Sequence, residues 1–142
     1  MSRVTLIRPA EGVSVASIDS VTPTLPLGLA YIAASAREAG HTVQVIDAVG
    51  EAVDRIEKRG IAHWIGLPGE ELIDRIDPQV EVLGVGNMFS HNWPMIREFL
   101  VKLRQRFPDT PVILGGEHPT SLPRFVLETS SVDVCVPLEL SV

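Results

Sequence analysis

A single cysteine, Cys135, stands in the 142 residues, which excludes an internal disulfide and any multi-cysteine zinc or iron–sulfur site within this chain. Its setting in the apolar run Val132 to Val136 reads as a small buried hydrophobe, and such sparse thiol usage fits the reducing cytoplasm. No apolar run approaches the roughly twenty residues that a bilayer-spanning helix needs. Met1-Ser2-Arg3 leads straight into strand-like residues, without the apolar core of a signal peptide. Basic charge is scarce: 12 Lys and Arg stand against 18 Asp and Glu, a net charge of −6. A nucleic-acid binder would need a basic stripe, so that class is set aside. No G-x-G-x-x-G follows the first strand, and neither a P-loop nor a G-x-S-x-G elbow occurs. Dinucleotide, nucleoside triphosphate and serine-hydrolase chemistry therefore lose their usual support. Internal repeats and low-complexity segments are missing too.

What is present is enough for one domain over residues 1–142, with 45% apolar and 21% charged residues able to bury a core. Short β-branched runs alternate with helical patterns, the mark of a parallel sheet flanked by helices. Strands are expected at Val4 to Arg8, Thr42 to Ile46, Val80 to Val85, Pro111 to Leu114 and Val132 to Val136. A long loop joins Pro9 to Pro26, and loops of that length are usually functional. The first helix, Leu27 to Ala39, repeats Leu29, Ile32, Ala33 and Ala36 at the spacing of a buried face, and Gly40 caps it. Between Ala48 and Gln79 the pattern predicts a weak helix at Glu51 to Arg59, an apolar piece at Ala62 to Ile65 and a helix at Pro68 to Ile76. Pro94 opens a strong helix with Ile96, Phe99, Leu100, Leu103 and Phe107 on one face, and Leu122 to Thr129 forms a short one.

Five such strands predict an α/β fold: a flavodoxin-like (Rossmann-like) doubly wound parallel sheet of order 2-1-3-4-5. Ligands of that architecture bind outside the carboxyl ends of the strands, beside the first and third. Three segments would meet there, at positions 9–27, 87–93 and 115–121. The chain stops soon after its fifth strand, where a last helix normally covers one sheet face. Apolar area left facing water costs on the order of 25 cal/mol per Å². The expectation is a fragment, or a chain whose sheet another polypeptide closes.

Gly115-Gly116-Glu117-His118-Pro119-Thr120 follows the fourth strand. Two glycines there suit either a tight turn of positive φ or the close approach of a flat ligand, and the polar and rigid residues after them favour binding. Asn87-Met88-Phe89-Ser90-His91-Asn92-Trp93-Pro94 sets two aromatics and two amides at the same edge, as a large planar cofactor requires. A helix entry capped by Ser90 or Asn92, with Trp93 on the core, explains part of it but not Met88 and Phe89 together. His41, His63, His91 and His118 show no metal-ligand spacing, so no metal-ligating residue is expected. No catalytic residue is expected either, since no carboxylate pair or nucleophile–base pair stands out. A small enzyme acting on a nucleotide or sugar in the same crevice is correspondingly disfavoured.

Pro26-Leu27-Gly28-Leu29-Ala30-Tyr31-Ile32-Ala33-Ala34 followed by Ala39-Gly40-His41-Thr42-Val43 resembles the opening of the cobalamin (vitamin B12)-binding domains of cobalamin-dependent radical S-adenosylmethionine enzymes. The segment Met88 to Pro94, the run Leu114 to Thr120 with Leu122-Pro123, and Val132-Asp133-Val134 resemble that family's later motifs, in the same order. The resemblance implies a corrinoid carrier: cobalamin on the carboxyl edge of the sheet, with its nucleotide tail threading between sheet and helix near Gly115 and Gly116. On this reading Pro26, Leu27 and Gly28 border the cofactor. Asn87, Met88, Phe89, Ser90 and Trp93 shape the corrin face, and Gly115, Gly116, Glu117, His118 and Thr120 meet the tail and the corrin amides. The D-x-H-x-x-G motif that supplies a lower cobalt ligand is absent, so histidine ligation is not implied. The family's acidic-glycine segment is replaced by Pro137-Leu138-Glu139-Leu140, and its barrel with the three-cysteine motif is missing. The parent enzyme, a methyltransferase or cyclase for example, would add a 4Fe-4S cluster and S-adenosylmethionine, which this chain does not bind. The implied partners are the corrinoid and a radical S-adenosylmethionine domain or other subunit. The rival reading is a non-catalytic interaction module, a degenerate remnant whose open sheet docks on a partner.

Overall fold

A computed structural model describes residues 1–14 and 24–137. Five parallel strands form the main sheet: β1 (Arg3–Arg8), β3 (Thr42–Asp47), β6 (Val82–Gly86), β7 (Val112–Gly115) and β8 (Val134–Val136), in the order β3-β1-β6-β7-β8. Taken alone, these five follow the 2-1-3-4-5 order that the alternating pattern predicts. The numbering along the chain differs because three further strands, β2 (Glu11–Ser14), β4 (Ile56–Arg59) and β5 (Ala62–Ile65), build a separate antiparallel sheet of order β2-β5-β4.

That second sheet corrects two expectations. Part of the long loop from Pro9 is strand β2, and the region read as a weak helix at Glu51 to Arg59 holds only a short helix α2 (Ala48–Glu51) before β4. Its charged residues have good helix propensity, but tertiary pairing overrides so weak a preference. Gly60, at a φ of 60°, turns the chain so that Arg59 faces Ala62. β5 then pairs with β4 on one side and β2 on the other.

The two faces of the main sheet are unequally covered. Alternation sends Ile7, Ile46, Leu83, Val85, Val112 and Leu114 to one face. There they pack in a single core with Leu72 and Ile73 of α3 (Gly69–Asp74), with Ile96, Phe99, Leu100 and Leu103 of α4 (Trp93–Arg106), and with Val126 of α6 (Pro123–Thr129). Cys135 is half-buried against this core. On the other face α1 (Leu27–Glu38) lies over β3 and β1. Only Ala33 of that helix is buried, while Ile32 is 56% exposed, so the four-residue face expected from its periodicity is not sealed. Val134 and Val136, further along the same face, stay half-exposed.

Candidate functional site

Because the five strands are parallel, their carboxyl ends, and the loops that leave them, share one edge. β6 ends at Gly86-Asn87 and β7 at Gly115-Gly116, and the register pairs Gly86 with Gly115. The Asn87 N–H donates to Gly115 O at 2.8 Å, and the His118 N–H donates to Asn87 O at 3.3 Å. Gly116, at a φ of 120°, sits so tightly that a Cβ would come within 2.3 Å of Asn87 O. Its turn leads into α5 (Glu117–Ser121), where Thr120 Oγ1 donates to Gly116 O at 2.7 Å. The tight-turn and ligand-approach readings of the glycine pair thus separate by residue. Gly116 serves the turn, whereas a Cβ on Gly115 would meet nothing within 4 Å.

The predicted residues sort by exposure. Asn87, Trp93 and His118 are buried, at 1%, 6% and 3% exposure. His118 Nδ1 lies 2.9 Å from Ser90 Oγ, and its ring packs on Trp93 with centroids 4.9 Å apart. These contacts bind the loop after β6 to the loop after β7. Burial holds the His118 imidazole below the usual histidine range, so it is neutral at pH 7. Its Nε2, both side-chain amide atoms of Asn87 and Trp93 Nε1 are buried without a hydrogen-bond partner among the described residues. Met88 and Phe89 are instead half-exposed, with Phe89 stacked on His91 at 5.5 Å, and Ser90 and Glu117 also face solvent. Asn92 does not cap α4: its Oδ1 accepts from Gly12 N at 2.9 Å, and His91 Nε2 donates to Gly12 O at 3.1 Å. The small antiparallel sheet is thereby pinned to the loop after β6.

Pro26, Leu27 and Gly28 lie at the start of α1, with Leu27 and Gly28 exposed. No hydrogen bond joins them to the loops after β6 and β7 among the described residues. Their link to the carboxyl edge is Arg8, which sequence reasoning passed over. Arg8 Nη1 donates to Thr24 O at 2.7 Å, and the guanidinium pairs with Glu11 at 3.0 Å and Asp47 at 3.4 Å. Asp47, the last residue of β3, also accepts from Gly50 N at 3.0 Å to cap α2. Both of its contacts are structural. A cation closing an otherwise apolar strand, directly before Pro9, was the available signal for Arg8. Residues 15–23 of the long loop lie outside the described residues.

The open position above Gly115 shares its sheet face with Ile113, Val134 and Val136, by alternation and register. Half-exposed valines beside a strand glycine form a shallow apolar trough, with the exposed Leu27, Tyr31 and Ile32 of α1 on the helix that packs at the other end of that face. No group of three or more metal-ligating side chains is found among the described residues, and no helix among them is long and apolar enough to cross a membrane. A family model described as the B12 binding domain matches residues 13–139. The comparison with curated proteins gives no match.

Proposed function

The chain belongs to the B12-binding domain family, and from that membership we propose that it carries cobalamin as the cofactor domain of a cobalamin-dependent radical S-adenosylmethionine enzyme. The observation that carries the reading of the site is Gly115, a strand glycine whose missing side chain leaves open space at the carboxyl edge. A corrin with a nucleotide tail needs a flat apolar seat beside a channel where backbone can be approached closely. The residues fit that demand. Met88 and Phe89 offer exposed apolar surface, and the trough by Gly115, Val134 and Val136 takes the tail. Ser90, Glu117 and Thr120 offer polar groups to the amides around the ring. Asn87, Trp93 and His118 hold those loops in place from beneath, and Pro26, Leu27 and Gly28, at the start of α1, border the corrin from the other end of the sheet face.

When bound, the corrin supplies a cobalt centre that relays a methyl group or assists radical chemistry in an adjoining domain. The chain's own task is to grip, orient and shield. With Nδ1 beside Ser90 and Nε2 buried, His118 acts as a positioning residue. The motifs at Pro26 to Ala34 and Leu114 to Thr120 support the radical S-adenosylmethionine parentage. A cytoplasmic setting and a barrel domain or subunit as partner belong to the same proposal.

Titration of the purified chain with hydroxocobalamin tests it. The expected result is a shift in the visible spectrum and co-elution of the pigment through a desalting column. An unchanged spectrum with free pigment overturns it and leaves the interaction-module reading in its place.

A further inference from the structure

Four strands stand at the edges of the two sheets: β3 and β8 in the main one, β2 and β4 in the small one. An open edge offers unpaired N–H and C=O groups to another chain, and proteins blunt such edges with charges or cover them. Three of the four are blunted here. Arg37 Nη2 donates to Val43 O at 3.0 Å and so occupies the open side of β3. β4 carries Glu57, Lys58 and Arg59 in a row. Gly12 of β2 is held at both backbone groups, its N–H by Asn92 Oδ1 and its carbonyl by His91 Nε2.

β8 differs. Val134-Cys135-Val136 carries no charge, and the carboxylate just before it, Asp133, is already bound by Arg104 at 2.6 Å and by the Val112 N–H at 2.8 Å. The Asp133 N–H donates to Val112 O at 3.0 Å. By alternation the N–H and C=O groups of Val134 and Val136 then point away from β7, where no strand follows among the described residues. The helix packed against β8 extends the apolar character. On α6, Phe125 lies toward α4, its ring centroid 6.5 Å from that of Trp93. Leu127 comes about 200° further round that helix, on the flank beside the open edge, and is 44% exposed.

We propose that β8 pairs antiparallel with β8 of a second copy of this chain, about a two-fold axis that passes through Cys135 normal to the sheet. That register uses every open backbone group of the strand: Val134 exchanges two hydrogen bonds with the partner's Val136, and Val136 two with the partner's Val134. It is self-complementary, as a two-fold interface must be. Valine faces valine, and no like charges meet, since Asp133 falls opposite the partner's Pro137. The missing N–H of that proline points toward β7, so the open side loses no donor. Each Leu127 adds apolar surface beside the axis. An interface of this kind falls below about 1,200 Å², at the small end of specific ones, so the dimer is weak and concentration-dependent. The partner strand lies beside β8 in the plane of the sheet, whereas the corrin tail lies over its face; the inference does not rest on corrin binding.

Sedimentation velocity of the cofactor-free chain tests it, with a Kd expected on the order of 10–100 μM. The single cysteine reports the register. Residues facing each other in a non-hydrogen-bonded antiparallel pair stand about 4.5 Å apart at Cα, within the roughly 4.4–6.8 Å that a disulfide spans. Diamide, which takes up the two protons and two electrons that two thiols release, should therefore join Cys135 to the partner's Cys135 above the Kd and much less below it. Val134→Glu and Val136→Lys, at half-exposed positions, each set a charge against a valine and should weaken dimerisation at least about ten-fold. Combined in one chain they set opposite charges across both pairs, and the dimer should return to within about three-fold of the unaltered Kd. Urea midpoints confirm that each variant is folded, and the cross-link in the unaltered chain needs no variant. The proposal is overturned by a chain that stays monomeric up to about 1 mM, by a dimer whose Cys135 thiols do not join, by single variants that dimerise as well as the unaltered chain, or by a double variant no better than either single one. Failure of the chain to bind cobalamin would leave the outcome of this test standing.

Discussion

Gly115 and Gly116 are adjacent, yet an added methyl group should have opposite consequences at the two positions. At Gly116 the φ of 120° and ψ of −175° lie in a region that residues with a Cβ rarely enter. Strain of that kind costs roughly 1–3 kcal/mol. The new Cβ would also stand 2.3 Å from Asn87 O and 2.7 Å from its carbonyl carbon. Both are backbone atoms that cannot swing aside, so the β6–β7 junction must open, at a further cost of roughly 1–3 kcal/mol. Gly116→Ala is therefore expected to lose about 2–6 kcal/mol, out of the roughly 5–15 kcal/mol typical of a whole domain. At Gly115 a Cβ meets nothing within 4 Å, and stability should stay within about 0.5 kcal/mol. Urea unfolding with unchanged m-values reads both numbers. The larger change Gly115→Leu fills the trough: it should leave the chain folded and cut hydroxocobalamin retention at least about ten-fold, the equivalent of 1.4 kcal/mol. Equal stabilities for Gly115→Ala and Gly116→Ala would refute the division of labour between the two glycines. Undiminished cobalamin retention in Gly115→Leu would refute the trough as the tail's seat.

Other expectations follow from the same edge and from the far end of the sheet. Arg8→Ala removes the group joining Glu11, Asp47 and Thr24 O; it should cost about 1–3 kcal/mol in urea unfolding, and Arg8→Lys should recover little, because one ammonium cannot span the same partners. Burial lowers the pKa of His118, so as pH falls the unfolded chain takes up the proton first, near the ordinary histidine value of about 6.5. Stability should decline below that pH, and His118→Gln should flatten this part of the profile; a wild-type curve with the same slope as the variant would count against it. At Asp133 burial pushes the carboxyl up, but the Val112 N–H at 2.8 Å and Arg104 at 2.6 Å outweigh it and hold the pKa low. That contribution is present above the usual carboxylate range and is lost as pH falls through the lowered value. Asp133→Asn should unfold with a shallower acid dependence, read by denaturant midpoints from pH 6 down to about 3.

The parts legible in the sequence are those governed by local pattern. The five parallel strands and the α4 stripe of Ile96, Phe99, Leu100 and Leu103 announce themselves by periodicity, and that stripe is buried as the periodicity requires. Gly40 caps α1 at a φ of 89°, as its position after Ala39 suggested. What escaped was set by partners distant in sequence. β2 and β5 are four residues each and pair across Gly12 and Trp64, a contact that no local run encodes. The same holds for the buried side of the site. The packing of His118 against Ser90 and Trp93 is set by residues 28 and 25 positions away, and Arg8 gained its role only when β1 and β3 brought it to Asp47.

The glycines of β6 and β7 show how far packing alone accounts for the carboxyl edge. A glycine within a strand costs roughly 0.5–1 kcal/mol relative to alanine, so each needs a reason. Gly84 has one, because a Cβ there would come within 2.7 Å of Leu6 Cδ2. Leu6 is buried on the sheet face that α1 covers, so Gly84 leaves room for the Leu6 side chain. Gly86 has Ile7 O at 3.7 Å, an ordinary contact that would accept a methyl group. Gly115 has neither a close neighbour nor a positive φ to justify it. The unexplained cost thus rises along one line, from the position that holds the fold together to the position at the carboxyl edge of the sheet. A fold selected for stability alone would place alanine or valine at Gly115, where Ile113 and Val134 already supply apolar neighbours on the same face. Keeping the backbone bare at that point gains nothing until something flat lies against it.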